Sequence, residues 1–137
     1  MSILDKISNI FHTKDGEIQR AYSAYDRASD LLNARDKNPN FGQQKELDDQ
    51  VKEVEKLTKE LLENYENNKS WSGVFREMHM NLARVYMKTG RFDEAEEECI
   101  KVEEYDPIDA EELRNALQEL MSGKNIESSK LEELGAG

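Results

Sequence analysis

Apolar residues recur at three- and four-residue intervals along most of this chain, the period of one face of an α-helix. From Ser2 to His12, the residues Ile3, Leu4, Ile7, Ile10 and Phe11 fall on one such face. From about Asp15 to Asp36 the apolar positions are Ile18, Ala21, Tyr22, Tyr25, Ala28, Leu31, Leu32 and Ala34, which predicts a second helix. Asn38-Pro39-Asn40 breaks the pattern, because proline disfavours helix at the residue before it and asparagine suits turns. Asn40 followed by Gln43 has the form of a capping box, so a long helix is expected over 43–67. Its stripe is Leu47, Val51, Val54, Leu57, Leu61, Leu62 and Tyr65, and Glu55 and Lys59 stand one turn apart as an ion pair. Part of that stripe keeps a heptad rhythm, interrupted at Thr58. It is too short for a sustained zipper, and an intramolecular packing face is the plainer reading.

A polar turn over 67–70 leads into a helix from Trp71 to Thr89, whose early turns carry Trp71, Val74 and Phe75. Leu82 and Tyr86 lie four apart on its face. Gly90 stops it, since glycine enters the left-handed C-terminal conformation without steric cost. Phe92, Ala95, Cys99 and Val102 mark the buried side of the next helix, and Pro107 lies just past its end. Asp109 with Glu112 reads as a cap for a helix over 109–121, with Leu113, Ala116, Leu117 and Leu120 inward. The residues after Gly123 form a polar tail, 123–137, in which Ile126, Leu131 and Leu134 make either a weak last helix or a frayed end.

Leu82, Ala83, Tyr86, Gly90, Phe92, Ala95, Cys99, Val102 and Pro107 follow one another at the spacings of two helices joined by a tight turn. From Arg76 to Pro107 the chain resembles a tetratricopeptide repeat (TPR), a helix–turn–helix unit of about 34 residues. It departs where His79 stands for the usual tryptophan, Cys99 for an aromatic and Val102 for alanine. The resemblance implies an all-α, right-handed stack of antiparallel helical hairpins, six or seven helices in one domain over 1–122. Residues 2–36 would be a degenerate hairpin of the same kind, with Leu4, Ile7, Ser8 and Phe11 in its first helix and Gly16, Ile18, Ala21, Tyr25 and Ala28 in its turn and second. A plain helical hairpin accounts for the same residues. The helix over 109–121 would cap the stack.

In this family the first helix of a repeat lines a concave groove that holds a partner peptide or helix. The resemblance places Glu77, Met80, Asn81, Arg84, Met87 and Lys88 on that groove, with Arg114 from the following helix. Methionine suits adaptable apolar contact and arginine is frequent at binding hot spots. Some relatives clamp a partner's terminal carboxylate with Lys and Asn. Asn81, Arg114 and Asn115 echo that clamp, but Met80 and Arg84 stand where its first lysine and its asparagine belong. The groove is either open to a partner or covered from within, the helix over 43–67 being the candidate cover.

Composition narrows the field. Charged residues are 36% of the chain, mean hydropathy is −0.90 and the net charge is −11. Thin apolar stripes on stacked helices suit such a composition. The negative charge repels nucleic acid and anionic membrane, and no apolar run is long enough to span a bilayer. The first ten residues carry Asp5 and no cleavage pattern, and the lone Cys99 fits a reducing compartment, so the cytoplasm is the expected location.

Catalytic and metal constellations are weak. His12 and His79 both sit in helical patterns. A pairing of His79 with Cys99 supplies two ligands, short of a zinc site. Asp36, Asn38, Asn40 and Gly42 imitate a calcium loop, but Pro39 intrudes and Leu47 stands where a bidentate glutamate belongs. The run Asp93, Glu94, Glu96, Glu97, Glu98 reads as a solvated face at a helix start. No cofactor and no metal are expected. The expectation is a non-catalytic interaction module, scaffold or adaptor, that binds a protein or peptide partner. The alternative is a self-assembling structural protein, a homodimer for example, joined through the long helix and the Trp71 region.

Overall fold

The three- and four-residue periodicity is realised as a series of helices in residues 14–67 and 69–134, which a computed structural model describes. Helix α1 is Lys14–Lys37, α2 Gln44–Tyr65, α3 Ser72–Lys88, α4 Phe92–Tyr105, α5 Pro107–Met121 and α6 Ser128–Glu133, with a 3₁₀ turn at Lys69–Trp71 before α3. There is no strand among the described residues. The helix expected over 2–12 lies outside them.

Contacts along the helices give their directions. Tyr86 meets Arg91, His79 meets Glu98 and Arg76 meets Asp106, so α3 and α4 run antiparallel. Gln50 donates to the Ala24 carbonyl and Glu17 faces Tyr65, so α1 and α2 form a second antiparallel pair. Within the described residues, then, the hairpin partner of α1 is α2. The two pairs join along α2 and α3, where Glu55 meets Tyr86 and Glu66 meets His79. The odd helices lie side by side, with Asp36 at the end of α1 against Lys88 at the end of α3, and Arg76 of α3 bonded to Asp109 of α5 at 2.8 Å.

Helix α3 is central. It packs against α1, α2, α4, α5 and α6, and every residue from Met78 to Met87 is buried. Tyr86, Phe75, Cys99 and Val102 are buried in the main core, against which Phe92 packs half-buried. The stripe of α2 is consumed within the chain: Leu47, Val51 and Val54 pack with Ala28 and Leu32 of α1, while Leu61 and Leu62 join the main core.

Several ends differ from expectation. Asn40 does not cap α2. Gln43 holds the N-cap position without a side-chain bond, and Asn38 Oδ1 instead accepts the Asn40 N–H at 2.9 Å, a local turn. Helix α5 starts two residues before Asp109, because Asp106 accepts the N–H groups of Ile108 and Asp109 and Pro107 fits the first helical position. The Glu55–Lys59 pair forms at 3.4 Å. Gly90 (φ 76°) reverses the chain after α3, and the Arg91 N–H closes the turn on the Tyr86 carbonyl at 2.9 Å. The segment 126–134, placed outside the domain by its polarity, packs back on α1 and α3, with Leu131 1% exposed.

Candidate functional site

Glu77, Asn81 and Arg84 recur at helical spacing on α3 and look towards α1, where Tyr22, Tyr25, Asp26, Ser29 and Asp30 face them. Between the two helices is an open cleft of about 580 Å³, closed at one side by Glu132 of α6. Four carboxylates, Asp26, Asp30, Glu77 and Glu132, line it with Arg84 as the lining cation. Burial pushes the Tyr25 phenol up to about 12, with Arg84 opposing and Glu132 and Glu77 adding to the rise. Burial also raises Tyr22, helped by Glu77. The cleft is polar and negative.

The floor of this face is fixed by cations that grip residues 126–134. Arg84 donates through Nε to the Leu131 carbonyl at 3.0 Å, through Nη2 to the Leu134 carbonyl at 2.8 Å, and through Nη1 to Asn81 Oδ1 at 2.9 Å. Lys88 donates to the Ile126 carbonyl at 2.6 Å and pairs with Asp36 at 3.1 Å. The second oxygen of Asp36 accepts the Ser128 N–H at 2.7 Å. Burial works to raise Asp36, but the Ser128 and Lys88 bonds outweigh it and hold the carboxyl below its ordinary value.

The structure divides the residues expected on a groove. Glu77, Asn81 and Arg84 line the cleft. Met80 and Met87 do not: at 0% and 2% exposure they lie in the core, because five other helices pack on α3 and its period alone cannot tell groove from core. Lys88 is spent on Ile126 and Asp36. Arg114 is paired with Glu103 of α4, away from this face, while its neighbour Asn115 borders a second hollow between α5 and α6. Residues 126–134, not the helix over 43–67, lie against Arg84 and Lys88.

A second cluster is built around His79, which is 1% exposed. Its Nδ1 lies 2.6 Å from Glu98 and its Nε2 2.6 Å from Glu66, and the Tyr105 hydroxyl donates to the same Glu66 oxygen at 2.7 Å. Burial disfavours the imidazolium, but the bonds to the two carboxylates prevail and raise the His79 pKa above its ordinary 6.5. Both ring nitrogens face an acceptor, so only the doubly protonated ring satisfies both bonds. His79 does not pair with Cys99, whose buried thiol is pushed up to about 11. Glu98 departs from the solvated acidic face read from the sequence: it is 5% exposed, while Glu96 and Glu97 are exposed. Among the described residues no group of three or more His, Cys, Asp or Glu side chains is disposed to hold a metal, and no helix is long and apolar enough to cross a membrane.

Asp26, Asp30 and Glu132 were missed from the sequence. Asp26 and Asp30 lie four apart on the polar side of α1, a spacing that was legible, but which helix they face is set by the fold. Glu132 carries no local signal. No protein-family model, curated protein or solved structure matches this chain.

Proposed function

We propose that this chain is a non-catalytic, TPR-like interaction module that takes a partner peptide or helix on the face formed by α1 and α3. The observation that carries the reading is the cleft itself: Glu77, Asn81 and Arg84 at helical spacing, facing Asp26 and Asp30 across about 580 Å³ of open space. Packed helices hold these side chains in place before a ligand arrives, so little ordering entropy is lost on docking. The antiparallel pair α3 and α4 spans the stretch that resembles a repeat, Arg76 to Pro107, and supports the reading. A role without chemistry is supported by a thiol that stays protonated near neutral pH and a histidine held by carboxylates on both nitrogens. Self-assembly through α2 has less support, because its apolar stripe is buried against the chain's own helices.

Affinity capture with the purified chain tests the reading against a Glu77→Lys/Asp30→Lys variant, with circular dichroism as the check on folding. Both positions are at least partly exposed, so helicity is expected to hold while specific partners are lost. Retention of the same partners by the variant would remove the cleft from consideration. Light scattering over a range of concentrations addresses self-assembly, and a mass that stays monomeric is expected.

A further inference from the structure

The segment after α5 is held on the α3 face in the manner of a foreign peptide. It supplies one deep anchor, Leu131, 1% exposed and set beside Leu32 and Val85. Its polar attachment is through the main chain: the carbonyls of Ile126, Leu131 and Leu134 accept from Lys88 and Arg84, and the Ser128 N–H donates to Asp36. Main-chain bonds ask little of the sequence that makes them, so affinity comes from the backbone and selectivity from the anchor. The connection to the rest of the fold is thin. Gly123 turns the chain at φ 95°, residues 122–125 are exposed, and α6 is six residues long without a side-chain cap. Beside it, against α5, a hollow of about 590 Å³ remains.

One residue of the segment is mismatched to its surroundings. Glu132 closes the cleft that Asp26, Asp30 and Glu77 already make negative. Burial pushes its carboxyl up, Arg84 opposes, and Asp26 and Asp30 add to the rise, leaving it above its ordinary value. A cationic side chain at this place would face three carboxylates against the one cation, Arg84, that lines the same cleft.

We propose that residues 126–134 are a built-in occupant of the α3 face, displaced by a partner's short helical segment that carries leucine at the Leu131 position and lysine or arginine directly after it. The proposal rests on reading this face as the partner-binding surface and adds what the partner must carry. Tethering keeps the mismatched segment seated, because its effective concentration at the site is high. An incoming segment overcomes that advantage by charge, since opposite charge across an interface favours the right partner and like charge excludes the wrong one.

The test uses the full chain and two labelled peptides of residues 124–134, one natural and one with Glu132→Lys, read by fluorescence anisotropy. The Glu132→Lys peptide is expected to bind about tenfold tighter than the natural one. Leu131→Ala in the chain loosens the occupant and tightens both peptides by about tenfold, whereas Glu132→Lys in the chain strengthens the occupant and weakens both by a similar factor. If the Leu131→Ala chain fails to fold by circular dichroism, the Glu132→Lys chain decides alone, since it removes no buried apolar group. Equal affinity of the two peptides, or affinity indifferent to Glu132→Lys in the chain, overturns displacement but leaves a binding face. Absence of peptide binding to every chain also overturns it. The module reading is then judged by the capture experiment with Glu77→Lys/Asp30→Lys, which does not involve the segment.

Discussion

His79 shows how a polar ring is accommodated in the core. An imidazole there needs partners for two nitrogens, and Glu66 at the end of α2 and Glu98 of α4 provide them. Lys101 stands 3.8 Å from Glu98, and Tyr105 stacks on the imidazole and bonds Glu66, so the cluster ties three helices together. Removing the ring by His79→Ala leaves the buried Glu98 without its principal partner and should cost about 3 kcal/mol in urea unfolding at pH 6. The pH dependence follows from the sign of the shift. A folded pKa raised above 6.5 means that the stabilisation is fully present below pH 6.5 and is lost as pH rises through the folded value. Glu66 works in the other direction. Burial raises it, but Tyr105 and His79 hold it below its ordinary 4.5, so its contribution is present above that value and fades in stronger acid. Melting temperature should therefore be highest in mildly acidic to neutral solution. The fall on the alkaline side should be smaller in His79→Gln, and an identical alkaline profile in the two proteins would show that the ring does not titrate there.

At the scale of elements, ends and turns carry separable contributions. Asp106→Ala removes the acceptor for two N–H groups at the start of α5 and should cost about 1 kcal/mol, read as a lower urea midpoint with unchanged slope. Gly90→Ala meets no atom within 4 Å, so its cost is conformational alone, about 1 to 2 kcal/mol for placing an L-residue at φ 76°. These elements also show what was legible. Helices α1 to α5 were written in the apolar period, and the boundaries of α1, α2 and α3 fell within two residues of expectation, because proline, glycine and polar turns punctuate the chain strongly there. The start of α5 was misplaced because Asp106 and Asp109 are both good caps and only the fold chooses between them. Met80 and Met87 were misplaced for a different reason. Period identifies an apolar face, but α3 packs against five other helices, and burial by them depends on chain distant in sequence. The placement of 126–134 was hidden because its polar attachment is main-chain, and carbonyl groups leave no trace in sequence pattern.

Across the whole molecule, a net charge of −11 acts together with the local field of the α1–α3 cleft. A field of one sign draws in ligands of the other and raises their association rate, and mobile ions shorten its reach to about 10 Å at 0.1 M salt. For a basic partner this separates two quantities that a bare affinity merges. Encounter should slow as salt rises, because it depends on the long-range field of the whole chain. Departure should change much less, because it depends on the Leu131-type anchor and on main-chain bonds to Arg84 and Lys88, which are 7% exposed and half-buried respectively. Stopped-flow measurement with the Glu132→Lys peptide between 50 and 500 mM salt should show an association rate falling by about tenfold or more while the dissociation rate stays within about twofold. The opposite division, a constant association rate with a salt-sensitive dissociation rate, would mean that the cleft carboxylates act only after docking, as direct partners of the bound cation. The surface charge of the remaining helices would then bear on solubility alone.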